Sequence, residues 1–214
     1  MRTGTIVRDT ENGLRYRVGV YLGAGATVAV YEAHAVEGTE PPSDWKRVAV
    51  KVPRKPEWKD SLKAEMQTIQ NIQKGWGNEP FFPCARVREG VIEGESDGFV
   101  LLLEYIPREW QVSRQKLGKQ DLLLLARQYA RLLQIVHENL QRTCGDRKDD
   151  DMYWDAANKR LNVLDWAVTT ERQRKTPEEQ QKDESLMRAD INAFGKWWYR
   201  LAVGEGVSDS TLAN

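Results

Sequence analysis

LGAGATVAVY at residues 22–31, followed after a polar interval by VAVK at residues 48–51, is the stretch on which the fold turns. Two runs rich in β-branched and aromatic residues, Leu14 to Leu22 and Val28 to Val36, flank the small-residue turn GAGAT, a pattern that predicts a hairpin. A hairpin tip without side chains can lay its backbone N–H groups over a polyphosphate, and a lysine one strand later supplies the point charge for it. The turn alone reads equally well as an ordinary glycine-containing turn. VAVK shifts the balance, because a lysine that ends an apolar strand is costly if it points inward without an anionic partner.

Outward from this stretch, WKRVAVKV predicts a third strand ending at Val52 and stopped by Pro53. From Asp60 to Lys74, Leu62, Met66, Ile69 and Ile72 recur at helical spacing. At 100 degrees per residue Glu65 falls inside that apolar stripe, and an internal ion pair with Lys51 is expected. Two more strands, Ala85 to Ile92 and Phe99 to Glu104, flank the turn GESDG, giving five antiparallel strands and one helix. After Tyr105-Ile106-Pro107 the pattern becomes helical. Gln120 to Leu140 is apolar nearly all round through its middle and is expected as a central buried helix. Short strands at Met152 to Asp155 and Leu161 to Asp165 follow, and a charged stretch, TTERQRKTPEEQQKDES, leads to a last helix containing Met187, Ile191, Phe194, Trp198 and Leu201.

Composition bounds the function classes. The 214 residues carry 32 Lys and Arg against 32 Asp and Glu, so no nucleic acid or anionic membrane surface is expected as partner. The longest apolar runs are far shorter than the ~18 residues of a membrane span, and the N-terminal stretch MRTGTIVRDTENG has no signal-peptide pattern, so a cytoplasmic location is expected. Cys84 and Cys144 have no CxxC spacing and read as reduced thiols, and with only His34 and His137 beside them no zinc site is expected. Both histidines are expected to be structural, and the Trp197-Trp198 pair to belong to a core.

In order and spacing, these motifs and those that follow resemble the protein kinase family. GAGATVAVY is similar to its glycine-rich loop, VAVK to its third-strand lysine motif, Glu65 to its first-helix glutamate and LLLEYIP to its hinge. CGDRKDDD, from Cys144 to Asp151, resembles the catalytic loop, Asp165-Trp166-Ala167 the magnesium-binding triplet, and Thr176-Pro177-Glu178 the motif that closes the activation segment. The resemblance covers about residues 14 to 204. It implies Asp146 as the aspartate that accepts the attacking hydroxyl's proton, and Lys148 as the neutraliser of the transferring phosphoryl group. Lys51 and Glu65 complete the catalytic set, with Gly23 and Gly25 over the phosphates. The resemblance further implies Asp165 and Asp151 as Mg2+ ligands, Glu104 and Ile106 as hinge contacts to adenine, and Val30, Ala49 and Tyr153 as the walls of the adenine slot. Asp190 is implied to hold the catalytic-loop backbone. Departures are Val28 for the third loop glycine, Cys144 for the usual His, Gly145 for Arg, Trp166-Ala167 for Phe-Gly, and only 13 positions from Asp165 to Glu178.

The fold class these readings give is α+β. The resemblance implies a two-lobed protein kinase-like fold with a five-stranded antiparallel N-lobe carrying one helix and a reduced, mainly helical C-lobe. Residues 1–107 would form the N-lobe with glycine-rich loop and hinge, and 108–214 a truncated C-lobe with the catalytic loop. The implied activity is Mg-ATP-dependent phosphoryl transfer to Ser or Thr. A compact ATPase or small-molecule kinase, and an ATP-binding pseudokinase, remain as alternatives. ATP and Mg2+ are the implied cofactors, with a protein or small-molecule acceptor and a partner completing the shortened C-lobe as further expectations.

Overall fold

Alternating apolar and polar residues build the first sheet. β1 (Ile6–Asp9), β2 (Arg15–Ala24), β3 (Val28–Ala35), β4 (Arg47–Pro53), β5 (Val87–Ile92) and β6 (Phe99–Glu104) pair antiparallel in the order β1-β2-β3-β4-β6-β5. β5 pairs back onto β1, so the sheet closes as a barrel. This is a computed structural model, and it describes residues 1–38, 40–77, 82–144, 149–166, 170–171 and 176–203.

Successive strand residues point to opposite faces, so the register sorts them into rows. Tyr31, Val50 and Leu102 stand side by side facing the barrel interior, next to Ala33 and Val48. With Val7, Tyr16, Val18, Trp45, Ile92 and Val100 they form one buried cluster, in which each large apolar side chain contributes about 1.5–3 kcal/mol by leaving water. The opposite row carries Val30, Lys51 and Leu101, and beside it Glu32, Ala49 and Leu103.

The expected kinase-like two-lobed fold with a five-stranded N-terminal sheet is corrected by this topology: the sheet has six strands and is a closed barrel. The additional strand is β1. It pairs with β2 on one side and β5 on the other, which removes both free edges. Asp9 at its end is fully buried, accepts backbone N–H groups of Glu11 and Asn12, and meets Arg88 at 2.9 Å. Arg88 also lies over the Trp45 ring. A charged residue thus sits where an apolar pattern would not place a strand.

The chain divides into two compact units, Met1–Gln70 with Ala85–Ile106, and Asn71–Cys84 with Pro107–Asn214. α1 (Lys59–Trp76) follows a 3-10 turn at Pro56–Trp58 and buries Leu62, Ile69, Ile72 and Trp76. In the second unit, α2 (Lys119–Gln134) continues into a π-helical turn, Ile135–Asn139. β7 (Arg142–Thr143) pairs with β10 (Thr170–Glu171), and β8 (Met152–Asp155) forms a hairpin with β9 (Arg160–Val163). α3 (Pro177–Val203) closes the described chain.

Two helix expectations need correction. α2 is not buried on every face: Leu122, Leu125, Tyr129, Leu132 and Leu133 are buried at helical spacing, while Leu123 is 63% exposed. α3 starts at Pro177, well before the apolar residues that identified it. Thr176 is its N-cap: its Oγ1 accepts the Glu179 N–H at 3.2 Å, and its own N–H reaches Glu179 Oε2 at 2.9 Å. That reciprocal pair, with Pro in the first helical position, is a capping box, so Thr176-Pro177-Glu178 has a helix-starting role. Tyr129, Phe194 and Trp197 stack between α2 and α3, and Trp198 Nε1 donates to Leu122 O.

Candidate functional site

In the first unit the site begins with β4, a strand flanked on both sides by partners. Lys51 ends its apolar run opposite Val30 on β3 and Leu101 on β6, on the face away from the barrel core. The α1 stripe carries Glu65 into contact with it: Lys51 Nζ donates to Glu65 Oε1 at 2.6 Å, with the side chains 11% and 1% exposed. Val30 and Ala49 are half-buried in the same pair of rows. The hairpin tip beside them is held by Gly25 N–H to Val28 O at 2.9 Å, Arg54 N–H to Thr27 O, and the Arg54 guanidinium to Gly25 O. Among the described residues nothing stands within 4 Å of where a Cβ on Gly23 or Gly25 would lie.

The hinge residues are placed differently from one another. Glu104 belongs to the inward parity of β6; its N–H donates to Arg86 O, and its carboxylate takes the Arg86 guanidinium at 3.3 Å. The same guanidinium is also paired with Asp44. Ile106 is half-buried at the end of the first unit. On the face of Lys51, Glu32 accepts the Arg47 guanidinium and a contact from His34 at 2.5 Å. Arg47 foremost, then His34, holds the Glu32 carboxyl below its ordinary range against the opposing effect of burial. His34 is exposed, not a core histidine.

The second unit brings Asp151 and Asp165 to the same end of the β8–β9 hairpin. Met152 pairs with Val163, and one step outward Leu164 N–H donates to Asp151 O at 2.9 Å. Asp165 is exposed and adopts a left-handed backbone with φ 60°, a conformation that few residues other than Gly, Asn and Asp accept. Its neighbour Trp166 is buried, with Nε1 on Val163 O at 3.0 Å, and so anchors the turn from which Asp165 projects. Tyr153 is half-buried; burial first, then the Asp151 and Asp150 carboxylates, push its phenol up. Asp146 and Lys148 lie outside the described residues.

Asp190 on α3 is buried, and its Oδ2 accepts both the Cys144 backbone N–H and His137 Nε2 at 2.8 Å. This ties down the chain immediately before Gly145. The ligand-type atoms of His137, Cys144 and Asp190 lie within 4.8 Å of one another, a grouping that cysteine and histidine spacing did not suggest because the third member is a carboxylate. Asp190 Oδ2 is engaged by His137 and by the Cys144 backbone N–H, so the carboxylate ties both residues to α3. One further positioning contact has no sequence signal: Gln111 Nε2 donates to both Asp150 O and Asp150 Oδ1.

Comparison of the sequence with protein-family models returns no match, and comparison with curated proteins returns none either. Among the described residues no helix is long and apolar enough to cross a membrane.

Proposed function

We propose that the chain is a Mg-ATP-dependent phosphotransferase that acts on Ser or Thr hydroxyls. The observation that carries this proposal is the buried Lys51–Glu65 pair at 2.6 Å beside the glycine tip. Taking two charges out of water costs several kcal/mol per ion, and an apolar pair of similar size would serve packing as well or better. The pair therefore argues for an ammonium that is held for use. Glu65 fixes and orients Lys51, and Lys51 supplies the point charge for an anionic phosphate. Gly23 and Gly25 leave their backbone approachable, while Val30 and Ala49 offer an apolar wall for a base.

Asp151 and Asp165 fit a hard divalent cation, since both offer carboxylate oxygens and leave the same end of one hairpin. Bound Mg2+ would supply charge neutralisation for the phosphates. Asp146 would orient the acceptor hydroxyl and take its proton, and Lys148 would neutralise the group in transit. Asp190 would keep the preceding backbone in place through Cys144. The motif order that resembles protein kinases is the second support.

A compact ATPase or small-molecule kinase is the competing reading, favoured by the short interval 166–176 between Asp165 and α3. Incubation with γ-labelled ATP and Mg2+, alone and with a Ser/Thr peptide pool, separates the two. Label on Ser or Thr supports the proposal, whereas released phosphate or a phosphorylated small molecule without it supports the competitor. Nucleotide binding without turnover would identify an ATP-binding module and refute both. Asp165→Asn is the control: Asn tolerates the left-handed backbone, so fold is kept while turnover falls by about 100-fold or more, on the order of 3 kcal/mol.

A further inference from the structure

We infer that the barrel opens at one end into a second binding site, for a small aromatic anion held between the Tyr21–Tyr31 pair, which offers its outer faces, and the Arg54 guanidinium. A cavity of about 560 Å³ lies there, within the roughly 300–1,000 Å³ of small-molecule sites. Tyr31 and Val52 line it and also pack against the barrel core, so the cavity is the continuation of the barrel interior and lies on the face opposite the row of Val30 and Lys51. The space exists because the side chains shrink at this end. Ala29 is paired with Ala24 on one side and Val52 on the other, so methyl groups stand where a core would place larger residues.

The walls specify the ligand. Tyr21 and Tyr31 meet edge to face with centroids 5.5 Å apart, and Tyr21 is 56% exposed within an apolar run, Val20 to Leu22, that is exposed throughout. Aromatic faces of this kind favour a planar ring. Arg54 at the rim is pinned by its backbone bond to Thr27 and its Nη1 bond to Gly25 O at 3.1 Å, and a guanidinium carries further donors suited to a carboxylate or sulfonate. Among the described residues no acidic side chain lines the cavity, and the Arg54 charge opposes a cationic ligand there.

Two dyes of the same ring system test this: anionic 1-anilinonaphthalene-8-sulfonate and neutral N-phenyl-1-naphthylamine, titrated by fluorescence into the folded chain. One saturable site is expected for each. Arg54→Gln should weaken the sulfonate by about tenfold and the amine by less than about twofold, while Tyr21→Ala weakens both. Both positions are exposed, and circular dichroism checks that the variants fold. Binding without saturation, or a sulfonate affinity unchanged by Arg54→Gln, would overturn the inference. Displacement of the dye by Mg-ATP would overturn it as well, because the dye would then occupy the phosphotransfer site; a saturable sulfonate site weakened by Arg54→Gln supports the inference whatever the outcome of the turnover assay.

Discussion

Replacing Lys51 and Glu65 singly and together separates what their ion pair does for the fold from what it does for chemistry. Lys51→Met leaves a carboxylate whose side chain is 1% exposed, and Glu65→Leu leaves an ammonium whose side chain is 11% exposed. Removing one member of a buried pair costs about 3–5 kcal/mol because the remaining charge loses its compensation, whereas replacing both by apolar groups is often neutral. Each single variant is therefore expected to lose about 3 kcal/mol and the double variant less than about 1 kcal/mol. For a chain of this size 1 kcal/mol is worth roughly 2–4 °C, so each single change should lower the melting temperature by about 6–12 °C while the double stays within a few degrees of the parent.

The assay is urea and thermal unfolding followed by tryptophan fluorescence, for which the chain has 8 Trp. Turnover of labelled ATP is measured on the same samples. The double variant should be stable and inactive, a result that loss of folding cannot produce. If the double variant is destabilised by the sum of the two singles, the coupling is absent and the charge-compensation reasoning fails. If it is stable and turns ATP over at the parental rate, Lys51 has no part in the chemistry.

Gly98→Ala should destabilise by about 1–3 kcal/mol, because a Cβ there would stand 2.8 Å from Ile92 Cβ and 3.0 Å from its backbone N, while Gly25→Ala, with nothing in reach, should leave urea stability within about 0.5 kcal/mol. Burial first, then the nearby Asp9 charge, pushes the Tyr16 phenol up to about 12. Its contribution is therefore present below the unfolded value near 10 and lost as pH rises toward 12; Tyr16→Phe, checked by melting temperature against pH, should flatten this alkaline loss. Thr176→Ala removes the cap of α3 and should cost about 1 kcal/mol in urea unfolding, with Thr176→Ser restoring most of it.

What could be read from sequence depended on how local the determining interactions are. Glu65 was legible because the helical period alone puts it among Leu62, Ile69 and Ile72, and Lys51 because one strand's pattern puts it at a costly position. The closing strand was not legible. Ile6–Asp9 is four residues long and half charged, and the buried Asp9 is compensated by the local N–H groups of Glu11 and Asn12 and by the charge of Arg88, a residue on β5. Barrel closure was therefore encoded in a pairing across sequence distance, where no window of local pattern could show it.

The second unit shows a different limit. A run of leucines on α2 marks apolar surface but not direction, and the direction is set by α3, whose Phe194 and Trp197 choose Tyr129 and its neighbours while Leu123 faces water. Thr176 and Glu179 carry a capping signal that the sequence states outright, yet Thr176 with Pro177 and Glu178 also fits a motif from the kinase resemblance. Two bonds decide between them: the Thr176 N–H donates to Glu179 Oε2 and the Glu179 N–H donates to Thr176 Oγ1, so the residues start a helix whatever else they do. The same standard applies to Asp165. Its left-handed backbone beside a buried Trp166 is a local strain of about 1–3 kcal/mol, retained at an exposed carboxylate whose neighbour Leu164 is bonded to Asp151. If the proposed Mg2+ site is right, added Mg2+ should raise the melting temperature of the parent chain and not that of Asp165→Asn; an equal shift in both would remove Asp165 from the site.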